Sequence, residues 1–279
     1  MHFDLILHTK TANYIKAFLA DPRQALLFAG PKGMGKKSIA KGLVNLFSPK
    51  KENIFNVIPV DSASIGIEEV RKIKAFLKLK SNQKGIQRFI LICDADTMTE
   101  EAQNSLLKIL EEPPDNTFFI LTSSRPNILL PTIRSRLETH EIAKPPKIDI
   151  VDYLVSNYPG EDMAKIMALS AGLPGIAVAL AKKERNVFLD DIQAAKTFFS
   201  SPVSDRFRAV DEYSKDRTRA NDFLSACLTV CRAAMDAHIG SRAALTQWAA
   251  KSAQILRSSE LLEKNVSTKL VLTELAVTL

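Results

Sequence analysis

ALLFAGPKGMGKKSIAKGLVNLF, residues 25–47, is the stretch whose reading decides the fold. Its first five residues, ALLFA, are an apolar run of the kind that forms a strand buried on both faces. A glycine-rich loop occupies 30–36, and beyond it Ile39, Leu43, Val44 and Phe47 recur at helical spacing. Strand, loop and helix in that order are the setting in which GxxxxGK denotes a phosphate-binding loop. Gly30, Gly33 and Gly35, with Pro31 in the same turn, let backbone N–H groups curl around an anion. The helix N-terminus adds partial positive charge, and Lys36 would reach the outer phosphates. The next residue, where a Ser or Thr hydroxyl would ligate Mg²⁺, is Lys37. Ser38 comes one residue late, about 100° around the helix. The loop is kept and the metal ligand is lost.

The chain has 279 residues, 46% hydrophobic and 25% charged, which suits two or three compact units of ordinary soluble composition. The opening MHFDLILHTK lacks a cationic n-region and a long apolar core, so no signal peptide is expected. No apolar run approaches the ~20 residues that cross a bilayer. Three cysteines give no disulfide framework; Cys227 and Cys231 are expected as core thiols of a helix and Cys93 in a buried strand. These features predict a cytoplasmic protein without membrane partners. Net charge of +7 leans mildly toward polyanionic partners.

Taken in order, residues 11–19 read as a short amphipathic helix, 56–60 as a second strand and 65–79 as a helix with Val70, Ile73 and Leu77 on one face. Between 71 and 88 there are seven Lys or Arg and no acid, Arg71, Lys74, Lys78 and Lys80 among them. A solvated helix face and loop is the plainer reading. Contact with nucleic-acid phosphates is the sharper one.

FILICDAD, residues 89–96, is an apolar strand ending in acids. An acid at the carboxyl end of a parallel strand faces the phosphate site, so Asp94 fits the carboxylate that holds a Mg²⁺ shell, as against a mere turn cap. The residue after it, where a water-activating Glu belongs in an active ATPase, is Ala95. Residues 99–112 form a helix capped by Thr99 and stopped by Pro113 and Pro114. Strands follow at 117–123 and 139–142, with a short segment at 131–136 between them. Alternating β and α elements predict an α/β fold with a mostly parallel sheet covered on both sides. The region 187–279 reads as almost entirely helical.

NSLLKILEEPPDNTFFILTSSRPNILLPTIRSR, together with IGIEEVRKI at 65–73, resembles the clamp-loader subunits of bacterial DNA polymerase III, a AAA+ family, and within them the delta-prime class. The resemblance runs from the N-terminus to about Ala181. It implies a AAA+ P-loop domain at 1–143, a small helical lid at 144–185 entered through Pro145 and Pro146, and a helical collar at 186–279 that packs against sister subunits. It also implies an arginine after the lid glycines in relatives that hydrolyse ATP; the matching position is Ile176. Lys37, Ala95 and Ile176 are three gaps in one catalytic circuit, and they predict a subunit without ATPase activity of its own. Whether the degenerate loop (Gly30, Pro31, Gly33, Gly35, Lys36, Lys37, Asp94) still holds ATP or ADP is left open.

The family's Ser-Arg pair, here Ser135 and Arg136, implies an arginine finger offered to nucleotide on a neighbour; the plainer reading is a surface arginine paired with a carboxylate such as Glu138. The resemblance implies gamma/tau-like and delta-like subunits, a sliding clamp and primed DNA as partners. Many relatives insert a four-cysteine zinc module after the loop helix; no cysteine stands there, and the four histidines have no ligand-like spacing, so no zinc is expected. Two other readings remain, an active gamma/tau-like ATPase and a small-molecule kinase. The second leaves LLKILEEPP and the helical C-terminus unexplained.

Overall fold

The computed structural model describes residues 5–47, 53–58, 64–79, 87–184 and 186–279. It divides into two compact units, Met1–Tyr153 and Leu154–Leu279. The first contains α1 (Thr9–Ala20), β1 (Ala25–Ala29), α2 (Lys36–Phe47), β2 (Ile54–Val57), α3 (Ile67–Leu79) and β3 (Arg88–Ile92). After a 3₁₀ turn at Ala95–Thr97 come α4 (Glu100–Glu111), β4 (Thr117–Ser123), α5 (Pro131–Arg134), β5 (Glu138–Glu141) and the start of α6 (Lys147–Asn157).

The five strands form one sheet in the order β2-β3-β4-β1-β5, and every pairing is parallel. This is the α/β class expected from the sequence. The middles of its central strands are apolar because both faces are covered, and Arg88, Thr117, Thr122 and Ser123 at the strand ends are the polar exceptions. Leu27, Ile90, Ile92, Phe119 and Leu121 share one core with Val70, Ile73 and Leu77 of α3 and Ala102, Leu106 and Ile109 of α4. The alternate residues turn to α1 and α2, where the Phe47 ring stacks on Phe89 and Phe118 with centroids 5.6 and 6.2 Å away.

Several boundaries differ from the sequence reading. β1 and β4 stand where expected. β2 begins two residues early, at Ile54, and residues 59 and 60 of the expected strand lie outside the described residues. β3 stops at Ile92 instead of running to Asp96. Asp94 takes a left-handed φ of 51°, which a strand cannot accommodate, and its N–H donates to Thr122 Oγ1 at 2.9 Å. β5 is Glu138–Glu141, one residue ahead of its expected place.

The second unit is helical. It comprises α7 (Met163–Leu169), α8 (Pro174–Ala181), α9 (Val187–Ser200), α10 (Val203–Tyr213), α11 (Arg217–Ala237), α12 (Arg242–Glu263) and α13 (Thr268–Thr278). α11 is its axis, packed against α9 and α12. Phe223 of α11 meets Phe198 edge-on at 5.3 Å and stacks on Tyr213 at 4.5 Å. Cys227 and Cys231 are buried on the same helix, as expected, and burial pushes the Cys227 thiol well above its ordinary range. One polar knot crosses this core. Asp191, 1% exposed, accepts from the Tyr213 hydroxyl at 3.0 Å and pairs with Arg219 at 3.1 Å.

Candidate functional site at two ends of one sheet

The loop after β1 is built by backbone conformation. Gly33 and Gly35 both have φ of 81°, a region that L-residues with a Cβ rarely adopt. α2 starts directly behind them, with Ile39 N donating to Gly35 O at 3.0 Å. Lys36 is 6% exposed and folds back over the loop. Its ammonium donates to Gly30 O at 2.7 Å, Pro31 O at 2.8 Å and Ser124 Oγ at 2.9 Å, so all three protons are engaged. Burial pulls its pKa down to about 8 despite the opposing carboxylates of Asp94 and Asp96. Asp94 is shifted the other way, upward, by burial and then by Asp96, although Lys36, Lys32 and Lys37 offset part of this.

This loop has a poor donor set for a divalent metal. Lys37 and Ser38 are both exposed, so no hydroxyl takes the metal-ligand position after Lys36. A carboxyl with a raised pKa among three lysines is also a weak partner for a hard cation. Ala95 is fully buried and supplies nothing polar beyond its backbone. Ile176 is 1% exposed, inside the helical unit.

Three residues at this end of the sheet went unnoticed in the sequence. Asp96 accepts from Ser124 N at 3.1 Å and from Arg125 Nε at 3.2 Å, while Ser124 receives Lys36. The signal was present in outline. Asp96 is the second acid of FILICDAD, and Ser124 and Arg125 follow β4 at its carboxyl end, where such sheets bind ligands.

Ser135 and Arg136 lie at the other end. They sit between α5 and β5, anchored by the buried Ile133 and Leu137 on either side. β5 pairs with β1 so that Glu138 faces Leu26 and Glu141 faces Ala29. Arg136 therefore precedes the amino end of the sheet, whereas the loop leaves the carboxyl end. The separation is about five residues of strand, roughly 16 Å. No arginine side chain spans that distance, so Arg136 cannot serve its own loop.

Arg136 and Ser135 are exposed. The Arg136 guanidinium donates through Nη1 to Thr132 O at 2.9 Å and through Nη2 to Glu111 Oε1 at 2.8 Å. The partner is thus Glu111 and not Glu138, because Glu138 accepts from the Tyr14 hydroxyl at 2.8 Å and faces Arg23 at 3.7 Å. Beside the pair is a cavity of about 420 Å³, lined by Arg23, Leu110, Phe119, Ser135, Arg136 and Glu138 among others.

The basic stretch divides. Arg71 pairs with Glu68, and Lys72 with Glu69 at 2.6 Å, one turn back on α3. Lys74 donates to Ser105 Oγ at 3.0 Å, and Lys78 is exposed. Arg88 leaves the stretch altogether. It is 6% exposed and donates to the carbonyls of Leu77 and Asp115 at 3.1 and 2.7 Å. Lys80 lies outside the described residues.

Residues 49–146 match the family described as DNA polymerase III, delta subunit. The DNA polymerase III subunit delta-prime of Escherichia coli is 38% identical over 119 residues, covering 42% of this chain and 35% of the relative. Further delta-prime subunits match over 93 to 180 residues at 28–39% identity. Over these residues the chain is similar to the delta-prime subunits of DNA polymerase III. The chain matches only about a third of the E. coli relative's length. The gamma/tau subunit of Mycobacterium tuberculosis is 32% identical over 133 residues, 40% of this chain and 23% of the relative. A gamma subunit-related protein from Thermotoga maritima has a similar fold, with a TM-score of 0.51 at 19% identity, over 95% of this chain and 97% of that one. The fold is that of AAA+ proteins.

Proposed function

We propose that this chain is a clamp-loader subunit of DNA polymerase III that does not hydrolyse ATP, acts as a stator, and offers Arg136 with Ser135 to nucleotide on a gamma/tau-like neighbour. The observation that carries this reading is the separation just described. The arginine stands exposed at the sheet end opposite to its own loop, so a nucleotide it touches belongs to another subunit. The gapped home site agrees with that division of labour. Delta-like and gamma/tau-like subunits, the sliding clamp and primed DNA are its partners, and the cytoplasm is its place. Among the described residues no helix is long and apolar enough to cross a membrane. We retain the division into P-loop domain (1–143), lid (144–185) and collar (186–279).

The second reading is an active gamma/tau-like ATPase. The intact glycine loop with Lys36 and the similarity to a gamma/tau subunit favour it. Turnover by the purified chain separates the two. The expected result is no Mg²⁺-dependent ATP hydrolysis, since metal stabilisation of a transferring phosphoryl group is worth several kcal/mol and nothing here replaces it. A rate like that of working ATPase subunits would establish the second reading.

DNA contact through α3 has its own test. Replacing Lys74 and Lys78 by Glu should weaken binding of the assembly to primed DNA and flatten its salt dependence by about one unit of slope per lost phosphate contact. An unchanged slope assigns these lysines to a solvated face.

A further inference from the structure

We propose that Glu111 is the positioning residue of Arg136. The inference rests on the reading of Arg136 as a finger acting on a neighbour, and it names what aims that finger. Glu111 is the last residue of α4, where the helix macrodipole is negative and a carboxylate is disfavoured. Helix stability therefore gives no reason for an acid there. The ion pair itself is exposed, with side chains 36% and 45% accessible, so it contributes little to overall stability.

What the pair does is fix a plane. The guanidinium is held from two sides, by Thr132 O on Nη1 and by Glu111 on Nη2, with Ser135 Oγ at 3.5 Å. Of its five N–H groups these contacts occupy the minority, and the remainder are left for a bidentate grip on phosphate oxygens. Both supports are anchored. α4 carries Glu111 on a helix whose opposite face, Ala102, Leu106 and Ile109, is buried in the sheet core. Thr132 stands beside the buried Ile133. A long side chain on a loop would otherwise sample several rotamers, and orientation within a fraction of an ångström is worth large factors in rate. The same contact could instead be a latch that holds Arg136 away from phosphate, but a latch predicts the opposite sign.

The test is DNA-stimulated ATP turnover by the reconstituted loader carrying Glu111→Ala, Glu111→Gln, Arg136→Ala or the double substitution. Glu111→Ala should lower kcat about tenfold, with KM for ATP and the melting temperature of the chain unchanged. Glu111→Gln, whose amide oxygen still accepts from the guanidinium, should recover most of the rate. The double variant should be no slower than Arg136→Ala alone. If Arg136→Ala is slow while Glu111→Ala runs at the wild-type rate or faster, Glu111 does not position the finger, and the finger reading stands. A double variant slower than Arg136→Ala also overturns the proposal, since Glu111 would then act elsewhere. Arg136→Ala at full rate removes the finger reading itself, and this inference with it.

Discussion

Arg136→Ala is expected to reduce ATP turnover and clamp loading by the reconstituted assembly about a thousandfold or more at the site it serves, the range known for arginine fingers. The chain should fold and assemble as before. Arg136 is exposed and its partners are a backbone carbonyl and a half-exposed glutamate, so its removal should change stability by less than about 0.5 kcal/mol. Nucleotide affinity of the neighbour should hardly move, because a group that engages developing charge stabilises the transition state more than the ground state. Arg136→Lys should also fail. An ammonium keeps the charge but cannot hold Thr132 O and Glu111 while spanning two phosphate oxygens. Full hydrolysis with confirmed stoichiometry would show that Arg136 is a surface residue and no more.

The largest expected effect on stability lies in the helical unit. Asp191→Ala should cost about 3–5 kcal/mol, the usual consequence of removing one partner from a buried charged network. The carboxylate serves two donors at once, the Tyr213 hydroxyl and Arg219, and it is nearly inaccessible to water. Burial and the adjacent carboxylate push the Tyr213 phenol well above its ordinary range, so that hydroxyl remains a donor at any working pH. Without Asp191 it and the Arg219 guanidinium, which lies 4.9 Å over the Tyr213 ring, lose a shared acceptor that water cannot easily replace. Asp191→Asn keeps an acceptor and loses the charge, and should fall between the two. Calorimetry of the full chain measures this as a lowered unfolding transition. A melt within a degree of wild type for Asp191→Ala would mean that the knot is balanced by its own desolvation cost.

The parts of this molecule that the sequence disclosed are those fixed by local rules. A five-residue apolar run, glycines demanding positive φ and a helical period located β1, the loop and α2, and TFFILTS located β4. What stayed hidden depends on residues far apart in the chain. Arg88 looked like one more surface cation, yet its guanidinium ties the carbonyls of Leu77 and Asp115, and only the packed fold brings those together. Glu138 looked like the partner of Arg136 because it is two residues away. Tyr14, 124 residues distant, takes that carboxylate instead, and Glu111 takes the arginine. The link from Lys36 through Ser124 to Asp96 crosses 88 and then 28 residues, and no spacing rule reports it.

The placement of loop and arginine at opposite ends of a parallel sheet also constrains symmetry. A twofold pairing is reciprocal, so a subunit whose arginine reached its partner's loop would receive the partner's arginine at its own loop. A head-to-tail succession lets one subunit's arginine meet the next one's loop with no return contact. In that succession every member gives in one direction and receives from the other, and a member with a gapped loop has no need to receive. On the proposed reading, the place of this chain is at a terminus of such a series, which gives the assembly a direction and a first subunit.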